Sequence, residues 1–422
     1  MDQTVWNTIN GRIFQTSDDT GQIISRLSYH ADFLLILLSP FYFLWSHPKM
    51  LLLAQTLTLG FGSVFVYLIS QNILKNKNLA LLFGFLFLMN PALQFTNLYD
   101  FHAVALATTT LLASFYFLIK KRYLPMVIFL ILSGIAKEEI WVITSFFGIA
   151  LLFQKIKQIK LLGLGIAFIS LIIFGCLMLY AIPQNLGKQH FAISYFSDFG
   201  NSPIEIIKGA ISSPQKIFLT IFEKDQLNYL KQIFLPLGFL SIFSPLYLIF
   251  AIPDLLINLL SNNSQLHQIY YQYSAAITPF IFISSIFSVK KILKTFPKIS
   301  KLYIIVYLLI FTLFSAYFYG PMPVAKNPNL DMFKRPQKNQ QIIEKFLSKI
   351  PEKYTVAATN NLGSHLSQRE IIYTIPYGID KADMVLFLRE RSELINNLKS
   401  NKNYSEVLRI DDFIVFKKNN LL

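Results

Sequence analysis

Charge is scarce in this chain, and negative charge is scarcer. Only 14% of the 422 residues are Asp, Glu, Lys or Arg, with 23 acidic residues against 38 basic ones. A soluble domain of ordinary composition carries about 25% charge, so a single water-soluble core is excluded. Cysteine is nearly absent. Cys176 stands alone in an apolar run, which excludes an intrachain disulfide and a cysteine metal cluster. No P-loop, no GxGxxG before a helix, no HExxH and no Cys/His zinc spacing occurs. Internal repeats and low-complexity tracts are missing too. The first apolar run follows some thirty mostly polar residues, so no cleavable signal peptide is expected. What fills the chain is apolar: 54% hydrophobic residues, 40 Phe, 21 Tyr and 3 Trp, with a mean hydropathy of +0.47. That excludes disorder and implies a polytopic membrane protein.

The formal net charge of +15 is an orientation signal rather than a nucleic-acid footprint. Four short connections hold the basic residues between apolar runs: Lys75 and Lys77; Lys120, Lys121 and Arg122; Lys155, Lys157 and Lys160; Lys290, Lys291, Lys294, Lys298 and Lys301. None of the four contains Asp or Glu, and the positive-inside rule assigns all four to the cytoplasm. Acidic residues of the same half, among them Asp2, Asp32, Asp100, Glu138, Glu139 and Asp254, fall in the other connections.

About 20 apolar residues cross roughly 30 Å of hydrocarbon. On that measure the runs 50–72, 79–97 (kinked at Pro91), 103–119, 123–136, 138–153, 161–182, a hairpin over 230–261 broken at Ser244–Pro245, 274–289 and 302–320 predict about ten crossings, several of them short. A loop of about 45 residues follows residue 182. Phe33–Trp45 is too short to span and is interrupted by Pro40, so it reads as an interfacial helix on the outer face. After Tyr319 the chain turns polar. Helices over Lys338–Ile350 and Arg391–Leu398 are expected there, with strands at Tyr354–Thr359, Ile371–Ile375 and Met384–Leu388 and a terminal strand or hairpin at Val407–Phe416. The expected organisation is an outer-face loop with an interfacial helix over 1–49, a mainly α transmembrane bundle over 50–320, and a small extracytoplasmic α/β domain over 321–422.

Candidate chemistry gathers at the outer ends of helices. Asp100 and His102, in Asn97-Leu98-Tyr99-Asp100-Phe101-His102, have the spacing of a general base or a metal-ligand pair; helix capping by Asp100 accounts for the same residues. Lys137-Glu138-Glu139 sits directly between two apolar runs. Capping explains carboxylates there, yet ionised groups so near a bilayer are costly and tend to be paired or functional. The N-terminal loop offers Asp2, Arg26, His30 and Asp32. The turn Ser261–Tyr273 offers His267, Tyr270, Tyr271 and Tyr273, as an aromatic belt or a sugar-stacking platform.

Several of these segments, in order, resemble a family of predicted polytopic membrane proteins, domain of unknown function family 2079. They are Trp6-Asn7 through Gly11, Arg26-Leu27-Ser28-Tyr29-His30, Ser39-Pro40-Phe41-Tyr42, Asn97 to His102 with Ala105-Leu106-Ala107, Ala136-Lys137-Glu138-Glu139, Tyr273 to Phe280, and Gly363 to Arg369. The family in turn looks like the GT-C class of integral membrane glycosyltransferases. The resemblance implies transfer of a sugar from a polyprenyl-phosphate donor to an acceptor at the outer face of the cytoplasmic membrane. It puts Asp2 close to the expected catalytic acid, with Asp100 and Glu138 as further catalytic candidates. Arg26, His30, His102, Lys137, Glu139 and Tyr273 become substrate-binding candidates, with Lys137 and Arg26 neutralising the lipid phosphate. A divalent cation is left open, protein partners are unspecified, and nucleic acid is not expected. Family members carry a helix and a further acidic residue upstream of the point where Met1 stands, so either an upstream extension or a reduced copy is expected. A non-catalytic scaffold and a transporter of envelope precursors are the alternatives.

The charge asymmetry makes a direct prediction. On a background lacking Cys176, a cysteine at Asn401 should react with an impermeant thiol reagent from outside, and one at Asn76 should be spared. The reverse pattern removes the orientation.

Overall fold

A computed structural model describes residues 1–389 and 392–421, so Arg391, the expected first residue of one C-terminal helix, lies outside the described residues. The chain falls into two compact units. One gathers Met1–Ser28, Leu35–Leu51 and Leu330–Leu422; the other gathers Tyr29–Leu34 and Leu52–Asn329.

The second unit is helical. Among the described residues three helices are long and apolar enough to cross a membrane, namely Lys49–Leu74, the stretch Lys157–Leu186 and Lys301–Tyr319. Lys77–Leu88 and Pro91–Leu98 make a fourth span if counted as one, bent by 45°. Pro91 explains the bend, since it has no amide hydrogen for the preceding turn, and the Asn90 side chain restarts the helix by accepting from Leu93 N–H at 3.2 Å. Ala103–Ile119, Tyr123–Gly134 and Ile140–Leu152 have 17, 12 and 13 residues. At 1.5 Å per residue they are about 26, 18 and 20 Å long, short of the roughly 30 Å of hydrocarbon. By length and composition, three or four spans stand out among the described residues, and the ten expected crossings are not confirmed.

Two further expectations are corrected. The segment 230–261 is largely apolar but is not a helical hairpin. It runs from the end of helix Lys224–Phe234 through 3₁₀ turns at Leu235–Leu237, Leu240–Phe243 and Pro245–Ala251 into helix Ile252–Leu259. Pro236, the left-handed Gly238 and Pro245 break the ladder that hydropathy alone cannot see. The long loop after residue 182 also holds structure, with helices at Pro203–Ser212 and Pro214–Ile221 that each open on a proline.

The first unit contains a five-stranded sheet. Its strands follow a hairpin of β1 (Gln15–Ser17) and β2 (Ile23–Ser25), and are β3 (Val356–Ala358), β4 (Ile372–Thr374), β5 (Met384–Leu388), β6 (Tyr404–Ile410) and β7 (Phe413–Lys418), in the order β4-β3-β5-β7-β6. The β3 strand is parallel to β4 and β5, and the last three strands pair antiparallel. Alternation divides the side chains between two faces. Val356, Ala358, Leu386, Phe413 and Val415 pack with Ile343 and Leu347 of helix Gln340–Leu347. Ala357, Val385, Phe387, Ile414 and Phe416 pack with Ile395 and Leu398 of helix Ser392–Lys399. A small sheet region with helices on both faces thus lies in the C-terminal part of the chain. Residues 1–28 join it through several bonds, with Gln3 at their centre: its Nε2 donates to the carbonyls of Arg369 and Glu370, while its Oε1 accepts from Thr16 Oγ1 and from Ser17 N–H and Oγ.

Helices Ile140–Leu152 and Lys157–Cys176 approach at Gly148 and Gly163, with Thr144 Oγ1 bonded to Ser170 Oγ at 2.8 Å beside them. Small residues permit close backbone contact between apolar helices. A Cβ on Gly148 would stand 2.5 Å from Ala167 N and from Gly163 O. Gly148→Ala should therefore destabilise the protein by about 1–3 kcal/mol through overpacking, read as a lower Tm in detergent. Gly60→Ala, where nothing lies within 4 Å of the added methyl, should not. Equal effects at both positions would sink the close-approach account.

Candidate functional site

Helix Tyr123–Gly134 ends where Trp141 needs room: a Cβ on Gly134 would lie 2.6 Å from the Trp141 ring. The chain then turns through Ile135–Glu139 and re-enters a helix at Ile140, placing Lys137, Glu138 and Glu139 on the connection. Glu138 is 3% exposed. Its Oε1 is 2.7 Å from His30 Nδ1, and its Oε2 accepts from Ala31 N–H at 3.0 Å. The 29–34 segment is fixed alongside by Leu34 N–H donating to Ile135 O at 2.9 Å.

His190 completes the group, with Nε2 3.7 Å from Glu138 Oε1. It follows the left-handed Gly187 that closes the long helix. It sits between two backbone groups, with Nε2–H donating to Tyr29 O at 3.0 Å and Nδ1 accepting from Ala192 N–H at 3.1 Å. Phe191 stacks on it at 4.4 Å. One donor atom from each of His30, Glu138 and His190 falls within 4.8 Å of the others, close enough to converge on a metal ion. Burial favours the neutral form of Glu138, but the His30 charge and hydrogen bond, with Lys137, outweigh it and hold the carboxyl well below the usual range.

The flanking residues form a second group. Lys137 Nζ pairs with Glu139 Oε1 at 2.5 Å and lies 5.8 Å from the centre of the Tyr273 ring. The pair is almost enclosed, at 18% and 15% side-chain exposure. Burial opposes the Lys137 ammonium, and Glu139 and Glu138 more than offset it, so its pKa moves up. One of the three ammonium N–H groups goes to Glu139; the other two have no protein acceptor among the described residues. Asp254 is buried nearby, acting electrostatically on Lys137, and its Oδ1 has no hydrogen-bond partner among the described residues.

Asp100 and His102 do not form the side-chain pair that their spacing suggests. His102 Nδ1 meets the main-chain carbonyl of Asp100 at 2.9 Å, its N–H donates to Gln55 Oε1, and its ring stacks on Tyr99. Burial drives the His102 imidazole down to about 4. Nor does Asp100 cap Ala103–Ile119: the cap residue is His102, with no side-chain cap bond. The Asp100 carboxylate is left exposed.

Asp2 and Arg26 belong to the other unit. Arg26 lies half-buried on the turn Arg26–Ser28. Asp2 is 8% exposed, hydrogen-bonded to the Tyr42 hydroxyl, to Ser367 Oγ at 2.6 Å and to Gln368 Nε2 at 3.4 Å. Burial, with the Asp2 charge beside it, raises the Tyr42 phenol. This is a closed polar knot rather than an open carboxylate.

Of the expected site residues, then, His30 and Glu138 meet directly, and Lys137, Glu139 and Tyr273 form the adjoining group. His190 and Asp254 are the members that sequence reasoning missed. His190 sits in a loop with no ligand-like spacing around it. Asp254 carries a signal, as a lone acid in an apolar run.

Scarce charge and long apolar helices point to a membrane protein, mainly helical with a small C-terminal sheet region. The family model for "Predicted membrane protein (DUF2079)" matches residues 1–420, and the chain belongs to that family. Among curated proteins, none matches significantly.

The Asp2 knot predicts a stability effect. Asp2→Ala leaves the buried Tyr42 hydroxyl without its acceptor and should cost about 1–3 kcal/mol, seen in the thermal unfolding of purified protein. Asp2→Asn, which keeps an acceptor, should cost less. Unchanged unfolding in both variants would remove the structural role.

Proposed function

We propose that the chain is a membrane-embedded glycosyltransferase with GT-C-like chemistry, moving a sugar from a polyprenyl-phosphate donor to an extracytoplasmic acceptor. One observation carries the reading. Lys137 is enclosed, held protonated by Glu139 and Glu138, and retains two N–H donors with no protein acceptor among the described residues. A fixed ammonium of this kind suits a phosphate oxygen as a point charge, and one released as a leaving group gains most from it.

In this reading the acceptor hydroxyl attacks the anomeric carbon. The bond from that carbon to the phosphate oxygen breaks, its electron pair stays on the phosphate beside Lys137, and the hydroxyl proton passes to a carboxylate. Asp100 suits that step because it is exposed and uncommitted. Asp2 does not, because its oxygens already serve Tyr42, Ser367 and Gln368. Tyr273 would flank the donor, and Glu138 would organise the connection. The basic connections lie on the cytoplasmic side and the 330–422 segment outside, in keeping with the positive-inside rule.

The test is transfer of sugar from a labelled polyprenyl-phosphate donor by purified protein. Asp100→Asn should lower turnover by roughly a hundredfold or more if Asp100 is the base. Lys137→Ala should weaken donor binding while the protein stays folded in detergent. Full turnover in Asp100→Asn removes the base. A Lys137→Ala variant that loses stability but binds donor normally reduces Lys137 to an ion-pair partner and removes the observation behind the proposal.

A further inference from the structure

His30, Glu138 and His190 come from three separate segments, yet their donor atoms meet at one point. We infer that these three side chains bind a single divalent cation of the zinc type, independently of whether the protein transfers sugar.

The donor set selects the ion. Two imidazole nitrogens and one carboxylate oxygen suit zinc and its late first-row neighbours. Calcium and magnesium take oxygen ligands almost throughout. The distances fit as well. Bonds of about 2.0–2.1 Å in a tetrahedral site put neighbouring donors about 3.3–3.4 Å apart. The two contacts of Glu138 Oε1, 2.7 Å to His30 Nδ1 and 3.7 Å to His190 Nε2, lie on either side of that value. Shifts of about 0.6 Å at the His30 donor and about 0.4 Å at the His190 donor bring both to it.

Contacts around Glu138 and the two rings support it. Ala31 N–H holds the second oxygen of Glu138, leaving Oε1 to the two rings. Phe191 stacks on His190 and meets His30 edge-on at 5.5 Å, fixing both rings from one side. Outer contacts of this kind orient metal ligands. Three protein ligands leave a fourth position for water or a substrate oxygen.

Loading takes two neutral rings and releases no proton, each ring proton moving to the nitrogen that the metal leaves free. The His30 proton leaves Nδ1 for Nε2, the ring nitrogen with no partner among the described residues. The His190 proton moves from Nε2 to Nδ1, giving up the bonds to Tyr29 O and Ala192 N–H. No electron is transferred, and the Glu138 charge offsets half that of the ion.

The experiment uses the full chain in detergent, stripped with a chelator and titrated with Co²⁺. One equivalent should bind with visible ligand-field bands, be displaced by Zn²⁺, and resist excess Mg²⁺ or Ca²⁺. His30→Gln and Glu138→Gln should each weaken Co²⁺ binding tenfold or more, while His365→Ala, at an exposed histidine, should leave it unchanged. Gel filtration and thermal unfolding verify that the variants are folded. X-ray absorption of the zinc-loaded wild type, which depends on no variant, should show two imidazoles in the first shell. Absence of the bands in folded wild type, bands that survive both Gln substitutions, or a shell without imidazole would each overturn the site and leave the three side chains sharing a proton only.

Discussion

A carboxylate taken out of water must be met by donors, and in this chain the Glu138 carboxylate sets much of what lies around it. Desolvation of an unpaired charge costs several kcal/mol. Here the cost is offset by His30, by the Ala31 amide and by the nearby His190 and Lys137. Each partner brings a segment with it. His30 and Ala31 fix the start of the Tyr29–Leu34 stretch, which Leu34 then ties to Ile135. His190 fixes the chain beyond the long helix by reaching back to Tyr29 O. One buried charge thus draws together three parts of the helical unit that apolar packing alone would leave free to slide, since apolar side chains gain little by choosing one another over lipid.

Polar side chains do the same work in the other unit. Gln3 is an amide with two donors and an acceptor, and five protein groups take them up. Asp2, one residue earlier, is closed in by Tyr42, Ser367 and Gln368. Consecutive residues at the beginning of the chain therefore bind partners more than 360 positions away. A sheet of five short strands gains an N-terminal segment as a fixed part of its edge: Ser17 Oγ reaches Ile372 O, and Thr374 N–H donates to Asp19 O.

What the sequence makes legible follows from the range of the forces involved. The Lys137-Glu138-Glu139 cluster stands out because charge in an apolar context is locally visible and physically expensive. Strand β5 is readable to the residue, Met384–Leu388, because a β-rich run between turn residues is a local pattern. The 230–261 hairpin fails because hydropathy reports transfer to lipid, whereas helicity depends on an unbroken ladder that Pro236, Gly238 and Pro245 interrupt. The division into units is not legible either, since Gln3 and Arg369 carry no mark of their pairing. His190 is the clearest loss. Its neighbours Gln189 and Phe191 are unremarkable for a ligand, and only the fold brings it to a carboxylate 52 positions away.

The two aspartates singled out from sequence show how environment separates residues of identical chemistry. Resemblance favoured Asp2, and spacing favoured Asp100. A base must offer a lone pair to an incoming proton, and it does so most easily where water or substrate already reaches it. Asp2 has spent its lone pairs on two hydroxyls and an amide in a buried setting, so protonating it means losing bonds that hold the unit together. Asp100 has made no such commitment, because the capping position fell to His102 and the imidazole chose the main-chain carbonyl over the carboxylate. Under the proposed function, the hydrogen bonds that Asp100 leaves unmade are what would let it serve as the base. The same logic distinguishes Lys137 from an ordinary buried cation: Glu139 satisfies one donor and its charge, and the two remaining N–H groups are the capacity a phosphate would use.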